Sequence, residues 1–232
     1  MPVRKTNRGI GGLTGHVGKG GNGGNGGGGD DSGEDDHAAF FESSLERDLY
    51  ELLRYRRTVT GEVDRFEEQP LTLEYLDEHG KLRRYTPDTL VVFRDPDRAP
   101  ELVEVKYWAQ LLKNRRKMAR AYRAARQLCV ERGWVFRVMT EYTIRTPLLK
   151  HARFFPGYQD RQHDPRLLGL VLNAMQDTPS TTVRQLLDRL TSKNASRADL
   201  LSVIWTLVAR RFLLIEDHLP PSPASVIRRG DV

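Results

Sequence analysis

The sequence predicts an α/β fold in which helices pack on a mixed sheet, followed by a small winged-helix-like α domain. Three observations support this prediction. Short apolar runs with strand-like alternation recur over 63–107, a long helical pattern covers 109–132, and an apolar strand follows at 134–140. After residue 165 the pattern changes to short helices. With 232 residues and 38% hydrophobic content, the chain has room for one mid-sized core and a small second one.

The N-terminal segment, residues 1–38, is expected to be a disordered tail. From Gly20 to Gly29 it contains only glycine and asparagine, a composition typical of flexible linkers. No strand precedes this run and no Gly-Lys-Ser/Thr ends it, so it is not a phosphate-binding loop. A helix is predicted next, over 42–57, because leucines recur there at helical spacing: Leu45, Leu49, Leu52 and Leu53.

Four strands are predicted between this helix and the long second helix. They cover residues 63–69, 71–76, 85–93 and 102–107. Asp77 to Gly80 form a hairpin-turn pattern, and the turn-rich segment 94–100 is a hairpin-type connection between the last two strands. Gly133 suits the end of the second helix, and the order α-β-β-β-β-α-β places an α/β domain over 39–150.

The C-terminal part is predicted to be a separate small domain over 166–219, reached through a linker at 151–165. Three short helices at 166–175, 181–190 and 195–211 and a strand at 212–216 follow one another. This is the pattern of a winged helix. The third helix is apolar from Leu200 to Trp205, which favours protein docking over base reading. Residues 220–232 are expected to be an extended tail.

Asp88, Glu104 and Lys106 carry the most specific chemical signal in the chain. Asp88 stands at the start of one predicted strand, while Glu104 and Lys106 are two apart on the next, so their side chains leave the same face. Carboxylates are the oxygen ligands that Mg²⁺ prefers, and a lysine beside them could position an attacking water. Alone, the same residues could form a turn and a solvated ion pair; their location on two neighbouring strands favours a PD-(D/E)xK nuclease core.

Composition narrows the classes of protein. A single cysteine, Cys129, excludes a disulfide framework or a cysteine-based zinc site and suits a reducing cytoplasm. The histidines show no zinc-ligand spacing, and the sequence shows no membrane span or signal-peptide apolar region. The formal charge is +6, which is compatible with a polyanionic partner.

The second long helix is strongly basic. Between Lys113 and Arg132 it carries eight basic residues against one acid, Glu131. These residues could line a DNA backbone, with the first four as candidate contacts: Lys113, Arg115, Arg116 and Lys117. They could equally be a solvated outer face that keeps the helix soluble.

Four motifs in order resemble the TnsA family of endonuclease subunits of heteromeric transposases. They are Phe41-Glu42-Ser43-Ser44-Leu45-Glu46-Arg47-Asp48, Phe66-Glu67-Glu68-Gln69-Pro70-Leu71, Tyr85-Thr86-Pro87-Asp88 and Val103-Glu104-Val105-Lys106. The resemblance implies a restriction-endonuclease-like fold and a metal-dependent nuclease that cuts the strands at the 5′ ends of a transposon. The long glycine run departs from the family pattern.

The resemblance also implies partners and a location. A DDE-type, TnsB-like transposase would cut the 3′ ends and join them to the target. The C-terminal domain would dock a TnsC-like AAA+ ATPase that regulates target choice. Such a protein would act on DNA in a prokaryotic cytoplasm, at the nucleoid, without a membrane.

By the same resemblance, Glu46, Asp88 and Glu104 correspond to the metal-binding acids and Lys106 to the catalytic lysine. Mg²⁺ is the expected metal, with Mn²⁺ as a substitute. Glu42 is the rival of Glu46 for the helix position, since an acid near a helix N-terminus is also favoured by the helix dipole. Gln69 could support the site or satisfy backbone groups before Pro70.

Two other functions remain open from the sequence. The same nuclease core could belong to a stand-alone restriction or repair enzyme that cuts DNA without partners. Alternatively, the chain could be a non-catalytic adaptor that bridges a transposase and its ATPase regulator.

Overall fold

The computed structural model describes residues 33–230, and side chains over 44–230. The glycine run and the Glu42 side chain therefore lie outside the described part of the chain. The first helix, α1, spans Gly33–Thr58 and so begins inside the segment expected to be a tail. It also covers the helix predicted over 42–57.

The N-terminal part alternates strands with one long helix. Its elements are β1 (Val63–Glu68), β2 (Leu73–Leu76), β3 (Leu82–Tyr85), β4 (Thr89–Phe93), β5 (Glu101–Val105), α2 (Trp108–Arg132) and β6 (Val135–Met139). Gly133, with φ near 67°, ends α2 in the left-handed conformation that favours glycine.

The main sheet has the strand order β1-β4-β5-β6. β4 runs antiparallel to both β1 and β5, whereas β6 runs parallel to β5. This confirms the predicted mixed sheet of an α/β fold. The prediction of one strand over 85–93 is wrong in one respect, because residues 86–88 separate two strands there. Pro87 lacks the N–H that a central strand needs, so β3 pairs with β2 in a separate hairpin and β4 begins afterwards.

The two long helices cover opposite faces of the sheet. Leu45, Leu49 and Leu53 of α1 pack against one face, in a core that includes Val103 and Val105. On the other face, a set of α2 residues packs against the β2–β3 hairpin: Ala121, Tyr122, Ala125 and Leu128. Because side chains alternate along β5, Glu104 belongs to the α2 face and its neighbours Val103 and Val105 to the α1 face.

The C-terminal part is a helical unit with a small sheet. Its elements are α3 (Glu141–Ile144), α4 (Pro147–Phe154), α5 (Pro156–Gln159), α6 (Pro165–Ala174), β7 (Thr181–Thr182), α7 (Val183–Leu190), α8 (Arg197–Ala209), β8 (Leu213–Ile215) and β9 (Val226–Arg229). The sheet has the order β7-β9-β8 with both pairs antiparallel. Helices α6, α7 and α8 and strand β8 follow one another as the sequence predicts, and the winged-helix assignment stays a prediction.

Strand β9 differs from the sequence expectation, which assigned residues 220–232 to an extended tail. Val226–Arg229 is the central strand of the small sheet, and Ile227 is fully buried. The strand exists because it pairs with β7 and β8 at once. Of its two partners, β8 was predicted over 212–216, whereas β7 has only two residues, too few to show an alternation.

The expected linker over 151–165 also differs, because helices α4 and α5 occupy part of it. Pro147 and Pro156 stand at the first positions of these helices, where the missing N–H costs nothing. Phe155 is fully buried in the C-terminal core, and Leu52 and Tyr55 of α1 belong to that same core. Helix α1 thus packs on both parts of the protein.

The apolar residues of the third helix belong to the core. Leu200, Val203, Ile204 and Trp205 of α8 are all buried in the C-terminal core. Burial explains their apolar character, because a helix that is apolar on all sides is a core helix, and protein docking by the C-terminal unit stays a prediction. Among the described residues, no helix is both long and apolar enough to cross a lipid bilayer.

Candidate active site

Asp88 and Glu104 meet where β4 begins and β5 ends. Asp88 stands one residue before β4, and its backbone N–H donates to the Val103 carbonyl at 3.1 Å. Its carboxylate oxygen Oδ2 accepts a hydrogen bond of 2.6 Å from the Val105 N–H. The Asp88 side chain is therefore fixed against the strand that carries Glu104, as the motif spacing predicts.

Glu104 is a buried carboxylate with two neighbours of its own. Its side chain is only 3% exposed. Tyr85 at the end of β3 donates its hydroxyl to Oε2 at 2.7 Å, and Lys106 Nζ lies 3.6 Å from Oε1. Glu104 and Lys106 thus share one face of the strand, as a separation of two residues requires.

The pKa of Glu104 differs from that of an exposed glutamate. The pKa of Glu104 is raised to about 7, first by burial and then by the nearby charge of Asp88, while Tyr85 and Lys106 act in the opposite direction. Burial and Glu104 also raise the pKa of the Tyr85 hydroxyl, so that it remains a donor. Two carboxylates that repel each other in a partly dry site form an environment that favours an added cation.

Helix α1 reaches the same cluster through Tyr50. The Tyr50 hydroxyl donates to the Asp88 carbonyl at 3.2 Å. Burial raises the pKa of Tyr50, and the charges of Glu68, Glu46 and Asp88 add to this effect. Half-buried Glu46 therefore lies within electrostatic reach of the site.

Gln69 supports the site through its backbone. Its N–H donates to the Asp88 carbonyl at 2.8 Å, whereas its side chain is exposed. Gln69 has a backbone φ of 47°, in the left-handed region that is uncommon for residues other than glycine, asparagine and aspartate. Strained backbone of this kind often occurs beside functional sites.

The donor set suits a hard divalent cation. Mg²⁺ is commonly held by one or two carboxylates together with waters and substrate phosphates, and Asp88 and Glu104 supply that pair. Within the described part of the chain, no group of three or more acids, histidines or cysteines is arranged to hold a metal. Glu46 therefore does not form a three-ligand group with this pair in the described part of the chain.

A buried ion-pair network next to the site was not predicted from the sequence. Asp48 of α1 is 3% exposed and accepts hydrogen bonds from Arg145 at 2.7 Å and Arg153 at 2.5 Å. Arg145 also donates to Ser44 and lies over the ring of Tyr107, the residue after Lys106. The network fixes α1, and with it Glu46 and Tyr50, against the end of β5. The sequence signal for this network was the position of Asp48, an aspartate on the largely apolar side of the first helix.

The four candidate DNA contacts lie together on α2, which begins two residues after Lys106. Lys113, Arg115, Arg116 and Lys117 are all exposed. None of the four makes an ion pair with a described residue. Their positive charge is therefore not neutralised by the described part of the protein.

Two family models match the chain in succession. The model described as "TnsA-like endonuclease N terminal" matches residues 60–141, and the model described as "TnsA endonuclease C terminal" matches residues 144–216. The chain belongs to the TnsA endonuclease family. A search among curated proteins finds no match. The N-terminal match contains Asp88, Glu104 and Lys106, and the fold is the restriction-endonuclease-like α/β fold that the motifs predict.

Proposed function

We propose that this TnsA-family protein is a metal-dependent endodeoxyribonuclease that cuts the 5′ ends of a transposon in a cut-and-paste reaction. The observation that carries the proposal is the cluster of Asp88, Glu104 and Lys106, in which a buried carboxylate stands beside a second carboxylate and a lysine. A structural ion pair does not need the second carboxylate, whereas metal-assisted phosphodiester hydrolysis does.

Asp88 and Glu104 would hold Mg²⁺, or Mn²⁺ in its place, with Glu46 as a further acid from α1. When bound, such an ion polarises the phosphodiester and makes hydroxide available near neutral pH. Tyr85 keeps one oxygen of Glu104 in place through its 2.7 Å hydrogen bond. The Val105 N–H does the same for Asp88, so both carboxylates are oriented before substrate arrives.

Lys106 would position the attacking water and stabilise the negative charge that develops on the phosphate. Its ammonium already lies beside Glu104, at 3.6 Å, and is only partly exposed. A cation in such a partly desolvated site acts more strongly on the transition state than it would in water.

The exposed cations of α2 would bind the DNA backbone next to the site. Helix α2 follows β5 after two residues and carries four cations that make no ion pair with a described residue: Lys113, Arg115, Arg116 and Lys117. Contacts of this type fix the position of the duplex without reading its sequence. The ends of the transposon would then be recognised mainly by a partner.

Family membership supports two partners. A DDE-type, TnsB-like transposase would cut the other strands, and a TnsC-like AAA+ ATPase would bind the C-terminal unit. The support for the second contact is the family relationship and not the composition of α8, whose apolar residues are buried. We expect the complex to act in the prokaryotic cytoplasm, on nucleoid DNA.

The proposal is tested by mapping cuts on each strand in a reconstituted reaction. It contains transposon-end DNA, Mg²⁺, the transposase encoded beside this protein, and either wild type or Asp88→Ala. Asp97→Ala, an exposed acid in the β4–β5 turn, is the matched control. Loss of 5′-strand cuts in Asp88→Ala alone, with 3′-strand cuts retained, supports the proposal.

Unchanged cuts in Asp88→Ala would contradict it and favour an adaptor role. Cutting of DNA by the wild-type protein without a transposase would favour a stand-alone nuclease.

A further inference from the structure

The outer edge of strand β6 is open. β6 stands at the end of the sheet order, and no described strand pairs with its far side. The Val135 N–H donates to Pro100, and the Met139 carbonyl accepts from Lys106, so residues 135 and 139 direct their backbone groups towards β5. Because backbone groups alternate along a strand in a parallel pair, Phe136 and Val138 present theirs to the open side.

A groove of about 470 Å³ runs beside this edge on the α1 face of the sheet. Its apolar lining includes Leu49, Leu53, Val103 and Met139, while Phe136 and Val138 also border it. An extended chain that paired with β6 would therefore find space for every second side chain in the groove. The edge and the groove together have the geometry of a strand-addition site.

Arginines surround this edge on both faces of the sheet. In the groove, Arg98 and Arg137 share one oxygen of Glu101, at 3.4 and 2.8 Å. Arg56 also lines the groove. Its Nε lies 3.4 Å from Oε2 of Glu62 and makes no hydrogen bond within the described chain. On the opposite face, two further arginines lie over aromatic rings beside β6: Arg126 over Phe136 and Arg132 over Trp134.

We propose that β6 accepts an extended segment of a partner protein in which apolar residues alternate with aspartate or glutamate. Apolar side chains would fill the groove, acids would meet Arg126 and Arg132 on the opposite face of the sheet, and the backbone would pair with Phe136 and Val138. A second copy of this chain fits less well. Antiparallel pairing of two β6 strands about their centre would place Arg137 opposite Arg137, and like charges directly opposite each other destabilise a sheet.

Hydrogen–deuterium exchange on the full chain, read over residues 134–140, tests this proposal. The probes are a hexapeptide that alternates glutamate with valine and the same peptide with lysine in place of glutamate. We expect the glutamate peptide to slow exchange at the Phe136 and Val138 amides about tenfold or more at saturation, and the lysine peptide to leave it unchanged.

Arg126→Gln should weaken binding of the glutamate peptide by about tenfold, while Arg166→Gln, the same change on the exposed start of α6, should leave it within about twofold. The comparison of the two peptides on wild type stands even if Arg126→Gln folds poorly. No slowing by the glutamate peptide at millimolar concentration, or equal slowing by both peptides, would overturn the proposal.

Two further results would overturn it in favour of another occupant. Protection of these amides without peptide that rises with protein concentration would assign the edge to a second copy. Protection without peptide that is independent of concentration would assign it to a segment of this same chain.

Discussion

Strand β5 carries two buried glutamates, Glu101 and Glu104, whose neighbours differ in charge. Glu101 is 8% exposed and lies between Arg98 and Arg137, so its charge is compensated within the protein. Glu104 is more deeply buried and stands beside a second acid, Asp88, with one lysine and one tyrosine as its compensation. Glu101 is therefore a carboxylate that stabilises the fold, whereas Glu104 is the one that we propose binds a cation.

The largest expected effect follows from removing the charge of Glu104 while keeping its shape. Glu104→Gln should lower the rate of 5′-strand cutting by about 10³-fold or more, because one of the two carboxylates that we propose bind the metal becomes neutral. Glu101→Gln should keep cutting within a few-fold of wild type. Both rates are measured by strand-specific cleavage of end DNA, and equal losses in the two variants would remove the distinction between them.

The second prediction concerns stability and pH without metal. The folded-state pKa of Glu104, about 7, is raised above the ordinary glutamate pKa of 4.5, so the folded protein holds this proton more tightly than the unfolded chain does. Stability is then fully present below about pH 4.5 and is lost as the pH rises through 7.

Glu104→Gln removes this loss. We therefore expect the variant to gain about 3 kcal/mol relative to wild type between pH 5 and pH 8 in chelator. Urea unfolding at the two pH values measures the change. A difference between variant and wild type that stays constant with pH would mean that Glu104 is already compensated by its neighbours.

A smaller and opposite effect is expected at Glu101. Glu101→Gln should destabilise the protein by about 1–2 kcal/mol, because Arg98 and Arg137 lose their shared acceptor, although both arginines remain partly solvated. The same urea experiment reports it, and the loss should be similar at pH 6 and pH 8. A stabilising effect at pH 8 would place Glu101 in the same class as Glu104.

The smallest effect is expected for single cations on α2. Glu101 compensates the charges of its neighbouring arginines. Lys113 and Arg116, by contrast, have no described acid beside them and are available to a phosphate backbone. Arg116→Gln should reduce the slope of log affinity against log salt by about 0.9 if that residue neutralises one phosphate. A fluorescence titration with end DNA at several salt concentrations measures the slope. An unchanged slope would assign the basic stripe to solubility.

The two strands of the candidate site could be predicted from the sequence because their signal is local. Asp88, Glu104 and Lys106 lie on two adjacent strands joined by a short connection, so spacing alone predicted that they would meet. The mixed order of the sheet followed from the single long helix between β5 and β6, since a parallel pair needs such a crossover.

The parts that were not predicted depend on distant partners. Asp48 meets Arg145 across 97 positions of the chain, and no local pattern reports such a pairing. Strand β9 depends on β7 and β8 in the same way. Helix α8 is different, because its apolar residues on all sides already indicated burial, and the docking interpretation overlooked that signal.

We propose that Glu104, and not Glu101, binds a divalent cation. Titration of the full-length protein with Mn²⁺, followed by electron paramagnetic resonance, tests it most directly in wild type, Glu104→Gln and Glu101→Gln. We predict one class of site in wild type and Glu101→Gln that is lost or weakened by about tenfold or more in Glu104→Gln. Equal binding by wild type and Glu104→Gln would contradict the account.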